Sequence, residues 1–284
     1  MVLPSVAVSA SSHSGVEGSD ELLQAYRAIV RARALEARWK ELETRGAQLP
    51  PKMKPGAIAL AAAALALGRE DWAFGEGHER VLALLRGASL ADFVAHAFGR
   101  GPNPWSSRAR RTLGADVHNG AYVTHAAGVA WAAKMEKREL AVLAVSSEDI
   151  ATTGEFHNGV NFAGVFKAPL ILLSLVREAR AEHAADVAAA YGIVGRACDG
   201  TDFDAVSEAV REARKRAMAG QGPTLLEAGV GDSSDDGSGL RRLLEARGIS
   251  AGEREERFTR EADEEIAAAI AEERIVVPTG RRPE

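Results

Sequence analysis

The chain has 284 residues, 46 % of them hydrophobic and 5 % aromatic, with a formal net charge of −5. That length and apolar content can bury a core in one large α/β domain or two small ones, and the acidic balance argues against electrostatic capture of nucleic acid or an anionic membrane. The one cysteine, Cys198, excludes an intrachain disulfide and fits a reducing cytoplasm, and no run is apolar and long enough to span a bilayer.

Residues 1–19 start without a basic segment, so they make a poor signal peptide and read as a flexible Ser/Gly-rich tail. Ser19-Asp20 can cap a first helix that Gly46 ends, with Leu22, Leu23, Tyr26, Ile29, Val30, Leu35, Trp39 and Leu42 as its apolar stripe. Pro50, Pro51 and Pro55 break the chain. The next helix, 57–68, is apolar nearly all round and is expected to be buried. Ser89 caps a short helix, and the Gly-, Pro- and Arg-rich stretch 99–120 reads as a loop. A helix follows at 121–137.

From there strands and helices alternate. Strands are expected at 140–145, 169–174, 193–197 and 224–228, with helices at 154–167, 182–191 and 203–219. The strands read as continuous, largely apolar runs instead of alternating ones, the pattern of parallel strands covered on both faces. The fold class is therefore α/β, a doubly wound parallel sheet with helices on both faces. Two helices, 240–247 and 252–273, close one domain spanning 20–275, and 276–284 reads as a loose tail.

Six segments, in order, resemble the E1 alpha subunits of thiamine-diphosphate-dependent 2-oxo acid dehydrogenases. They are LLQAYRAIVRARALEAR, ALALGREDWAFGEG, GVAWAAKMEKRELAVLAV, GEFHNGVNFAGVFKAPLILL, AAAYGIVGRACDGTDFDAVSEAVREA and GPTLLEA. The resemblance implies the thiamine-diphosphate-binding fold. It also implies a beta-type partner subunit, because the family's site lies between alpha and beta chains.

In that family a Gly-Asp-Gly turn and a following Asn-Asn hold the diphosphate through magnesium. Here Ser147, Glu148 and Asp149 stand at the turn and Val176-Arg177 at the amide pair. Magnesium takes oxygen ligands, and a guanidinium has no lone pair to offer. The family's Tyr-Arg-x-His patch falls on Gly77-His78-Glu79-Arg80, and its Gly-Gln-Glu on Pro55-Gly56-Ala57. Its His-Ser-x-Ser-Asp loop survives as 232–236 without the histidine, and the chain is shorter than the family between Arg177 and His183 and again between Asp236 and Leu240.

The leading expectation is a divergent alpha-type subunit that does not bind magnesium and thiamine diphosphate in the family manner. It would act as a structural or regulatory subunit, with a beta-type chain or with copies of itself. Two alternatives stay open: an active subunit in which Arg177 or Arg80 grips the diphosphate without metal, and a binder of some other anion in the old cleft. Glu148 and Arg177 are read either as ordinary polar strand ends or as a salt bridge across the vacated metal position. His157, His118 and His125 are expected in packing or helix-start roles. The arginines at 100, 108, 110 and 111 read as a solvated loop or a partner contact, the acidic 252–273 helix as a solvated face, and Cys198 as a small buried residue.

Overall fold

The computed structural model describes residues 17–273 apart from 49–51, 78, 115–119, 148–152 and 232–236. Both expected tails fall largely outside these residues. Six strands form one sheet in the order β2-β1-β3-β4-β6-β5, every neighbouring pair parallel. They are β1 (Trp72–Gly75), β2 (Thr112–Gly114), β3 (Val142–Ser147), β4 (Leu170–Val176), β5 (Val194–Asp199) and β6 (Thr224–Gly229).

The helices are α1 (Glu17–Ala37), α2 (Trp39–Thr44), α3 (Ala57–Ala66), α4 (Arg80–Leu85), α5 (Leu90–Ala97), α6 (Ala121–Met135), α7 (Gly154–Phe166), α8 (Ala181–Ala189), α9 (Phe203–Met218), α10 (Ser238–Ala246) and α11 (Gly252–Glu273). The α/β class stands as read, and the four expected strands form with bounds shifted by up to two residues toward the C-terminus. Among the described residues no helix is long and apolar enough to cross a membrane.

Alternate residues of one strand feed opposite cores. Leu143, Val145, Ile171, Leu173 and Leu226 join the core under α1–α5 and α9–α11, whereas Val142, Ala144, Leu170, Leu172 and Leu225 join the core under α6–α8. Period-two alternation therefore exists in space but is invisible in sequence, because both faces are apolar.

Three local expectations need correction. The long first helix begins at Glu17, so Ser19 and Asp20 lie inside its first turn, and it breaks at Arg38 into α1 and α2. Two strands lie in stretches not assigned as strands: β1 in the Asp-Trp-x-Phe turn and β2 inside the Arg-rich loop. Each is too short to carry a pattern of its own, and pairing alone makes it a strand.

The acidic face of α11 is solvated only in part: Glu253, Glu256 and Glu264 are exposed, whereas Glu255, Glu261, Asp263 and Glu265 dock. Arg27, Arg31 and Arg38 of α1 and its break meet Glu261, Glu265 and Asp263 at 2.9, 2.5 and 3.5 Å, and Tyr26 donates to Glu255 at 2.7 Å. Burial and the Glu255 carboxylate push the Tyr26 phenol above its ordinary range. Glu265 also reaches across to the first turn of α5, accepting from Leu90 N at 2.7 Å. It therefore caps a helix remote in sequence. Glu265→Ala should cost about 1–2 kcal/mol in urea unfolding, the range for losing a charge-assisted bond at a half-exposed site. A loss under about 0.3 kcal/mol would show that the Ser89–Asp92 capping box of α5 suffices by itself.

Candidate functional site

The chain leaves β1 toward β2 on one side and returns as β3 on the other, so the carboxyl ends of β1 and β3 flank the point where strand order reverses. Open α/β sheets hold ligands in that crevice. The positions singled out in the sequence lie around it: Gly77 and Arg80 just after β1, Ser147 as the last residue of β3, and Arg177 directly after β4. His78, Glu148 and Asp149 lie outside the described residues, as does His118.

The turn after β1 is built on two carboxylates. Glu79 is buried, and its oxygens accept from Glu76 N at 2.9 Å and Gly77 N at 3.0 Å. Gly75 makes room for it, since a Cβ there would lie 2.6 Å from the Glu79 carboxyl carbon. Glu76 accepts from Lys54 Nζ at 2.8 Å and lies 3.5 Å from the Tyr122 hydroxyl. Tyr122 is fully buried in the first turn of α6. Burial, and then the fields of Glu76 and Glu79, push its phenol far above the ordinary range. This end of the crevice thus carries two carboxylates against one ammonium, Lys54.

Arg80 belongs to the interior. It is 0 % exposed, with its guanidinium 5.0 Å from the centre of the Trp39 ring. Burial pulls its pKa down to about 10, and Glu36 opposes that shift. Arg177 is exposed, and its carbonyl accepts from Gly231 N at 3.0 Å, extending the β4–β6 ladder past the strand end. The chain then turns directly into α8. Ala179 sits over the end of β6, where a Cβ at Gly229 would lie 3.0 Å from Ala179 N.

Gly56, with φ +111, brings the start of α3 down onto the same edge. A Cβ there would meet Leu175 Cδ1 at 2.9 Å and Val230 Cγ1 at 3.2 Å. The shortened 177–180 turn and α3 therefore close over the ends of β4 and β6. Ser147 pairs in register with Leu175.

The remaining candidates have structural partners. His157 is exposed on α7 and shares a short hydrogen bond with the Tyr191 hydroxyl. His125 is exposed on α6. Arg110 binds Asp92 at 3.2 Å, and Arg111 pairs with Glu70 and lies over Trp72, so this part of the basic loop is tied down and not solvated. Cys198 is part-buried, and burial raises its thiol to about 11.

Two buried carboxylates were missed. Glu227 of β6 is held by His183 Nδ1 at 2.7 Å, and Asp71 before β1 is held by Arg214 Nε at 2.6 Å. A charged residue inside the apolar run TLLEAG was the available signal for the first, because a buried carboxylate requires a partner.

Comparisons with known proteins bear on the same frame. The family model described as "Dehydrogenase E1 component" matches residues 24–230. The chain is 29 % identical over 245 residues to the 2-oxoisovalerate dehydrogenase subunit alpha of Bacillus subtilis, covering 78 % of this chain and 74 % of that one. It is 30 % identical over 218 residues to the pyruvate dehydrogenase E1 component subunit alpha of Staphylococcus aureus, covering 65 % of this chain and 57 % of that protein's length. Among solved structures, a Pichia stipitis transketolase mutant matches with a TM-score of 0.51 at 17 % identity, over 88 % of this chain and 45 % of that one. At that identity the likeness concerns fold alone.

Proposed function

The chain belongs to the dehydrogenase E1 component family, on its alpha-subunit side, and from that premise we propose that it is a divergent alpha-type subunit of a 2-oxo acid dehydrogenase whose crevice does not hold magnesium and thiamine diphosphate in the family manner. The observation that carries this reading is the charge arrangement at the sheet's carboxyl edge. Carboxylates of Glu76 and Glu79 line the end of β1, and a guanidinium, Arg177, follows β4. The placing is the reverse of the family's, in which the Tyr-Arg-x-His patch follows the strand corresponding to β1 and an amide oxygen stands where Arg177 is; a guanidinium there has no lone pair for a metal.

The residues present do not fit the group, so no catalytic step is routed through it. The variant in which Arg80 grips the diphosphate is disfavoured by its burial over Trp39. Arg177, being exposed, keeps open the reading of an anion site on the old cleft.

A structural or regulatory role in an assembly accounts for what is retained. The exposed large hydrophobic side chains among the described residues are Trp131, Met135, Val165 and Phe166, and all lie on the α6–α7 face, with Trp131 packed edge-on against Phe162. Such a patch on a single chain marks a contact surface, and it supports a beta-type subunit or a second copy as the partner.

The test is co-expression with a beta-type E1 subunit, purification of the complex, and calorimetric titration with thiamine diphosphate at millimolar magnesium. We expect a complex that shows no saturable heat at micromolar cofactor. Micromolar binding would overturn the altered-site reading, and a stable monomer beside the beta-type chain would overturn the assembly reading.

A further inference from the structure

A small cavity of about 10 Å³ lies behind the β1 turn, lined by Gly75, Glu79, Trp105, Thr112 and Gly114. It exists because Gly75 and Gly114, register partners across β1 and β2, carry no side chains there: a Cβ at Gly114 would lie 2.4 Å from Trp105 Cβ. Two of its lining residues, Trp105 and Thr112, carry buried polar atoms. Trp105 is 5 % exposed and Thr112 3 %, and neither Trp105 Nε1 nor Thr112 Oγ1 has a hydrogen-bond partner. The third, Glu79, accepts the Glu76 and Gly77 amides through a carboxylate, a group that offers about four lone-pair sites.

We propose that this cavity binds one ordered water molecule that ties Trp105 and Thr112 to Glu79, and that Glu79 so held is the positioning residue of the turn forming the acidic wall of the crevice. Size and chemistry select the ligand together. One water needs about 10–15 Å³ of such space and two to four polar partners. An indole N–H only donates and a carboxylate only accepts, so the bridging group must do both. An ammonium ion cannot accept from Trp105, and a chloride ion cannot donate to Glu79. Water accepts from the indole, donates to the carboxylate, and exchanges either role with the Thr112 hydroxyl. The inference is independent of the cofactor reading, since it concerns the back of the wall and not what faces it.

Water–protein cross-relaxation on ¹⁵N-labelled, deuterated protein tests it directly. The Trp105 indole proton should show a direct cross-peak to water of the sign given by a long-lived buried molecule. Trp39, whose Nε1 is also buried without a partner but lies outside this cavity, should show none. No cross-peak at Trp105, or an equal one at Trp39, overturns the water site. For the positioning role, Glu79→Leu should speed amide exchange at Glu76 and Gly77 about tenfold or more, the scale of losing a charge-assisted bond. Glu79→Gln, which keeps one carbonyl oxygen, should retain protection at one of the two. Unchanged exchange in Glu79→Leu overturns that role.

Discussion

Asp71→Ala should destabilise the protein by about 3–5 kcal/mol, the cost of removing one member of a buried ion pair. Asp71 is 0 % exposed and joins three parts of the chain. Its Oδ2 accepts from Gly68 N at 2.7 Å and Arg214 Nε at 2.6 Å, and its Oδ1 accepts from Ala141 N at 2.8 Å. Loss of the carboxylate leaves two amides unsatisfied and the part-exposed Arg214 guanidinium without its partner where α3, β3 and α9 meet. Urea unfolding should show a lower midpoint at unchanged slope, with a thermal midpoint lower by about 6–20 °C. Asp71→Asn, which keeps one acceptor oxygen, should fall between wild type and alanine. A cost below about 1 kcal/mol for the alanine variant would mean that water satisfies these groups and the knot is not a stabilising feature.

The second large effect is one that should fail to appear. Restoring the family residues by Ser147→Gly, Glu148→Asp, Asp149→Gly and Arg177→Asn together should not create micromolar binding of magnesium and thiamine diphosphate, even with a beta-type subunit present. Micromolar affinity requires about 8 kcal/mol of binding free energy. The four changes supply metal ligands only. They leave the β1 turn beside a polyanion with Glu76 paired to Lys54 and Glu79 turned to the cavity behind it, and they leave the 177–180 turn seated on Gly229 and the start of α3 on Leu175. Calorimetry on the quadruple variant decides the matter. Binding at micromolar or tighter would show that the ligand substitutions alone silenced the crevice and that the closed edge has no role. Binding that appears only after a fifth change, Glu76→Gln, would place the obstacle in the acidic wall.

Much of the fold was legible because its causes are local or compositional. The largely apolar runs at 140–145, 169–174 and 224–228, too short for helices, read as strands covered on both faces and are buried, whereas 193–197 forms the edge strand β5 and is part-exposed along its length. Ser89 and Thr153 supply helix starts, Gly46 supplies an end, and six ordered segment likenesses placed Arg177 after a strand at the crevice. The short strands β1 and β2 were not legible, because four and three residues carry no period and become strands only by pairing. Nor were the partners of charged groups. Composition offers α11 as an acidic helix; only the packing of α1 beside it turns those carboxylates into ion pairs and a cap for α5. Arg80 makes the same point at the site. Its sequence position offers a cation to a phosphate, whereas the approach of α2 lays its guanidinium over Trp39. Sequence by itself thus determined the four longer strands and most of the helices, and put Ser147 and Arg177 at strand ends, since backbone hydrogen bonding and apolar patterning act over a few residues. Tertiary structure alone decided which charges face the crevice and which are spent on one another, since that depends on contacts between groups as much as 234 residues apart in the chain.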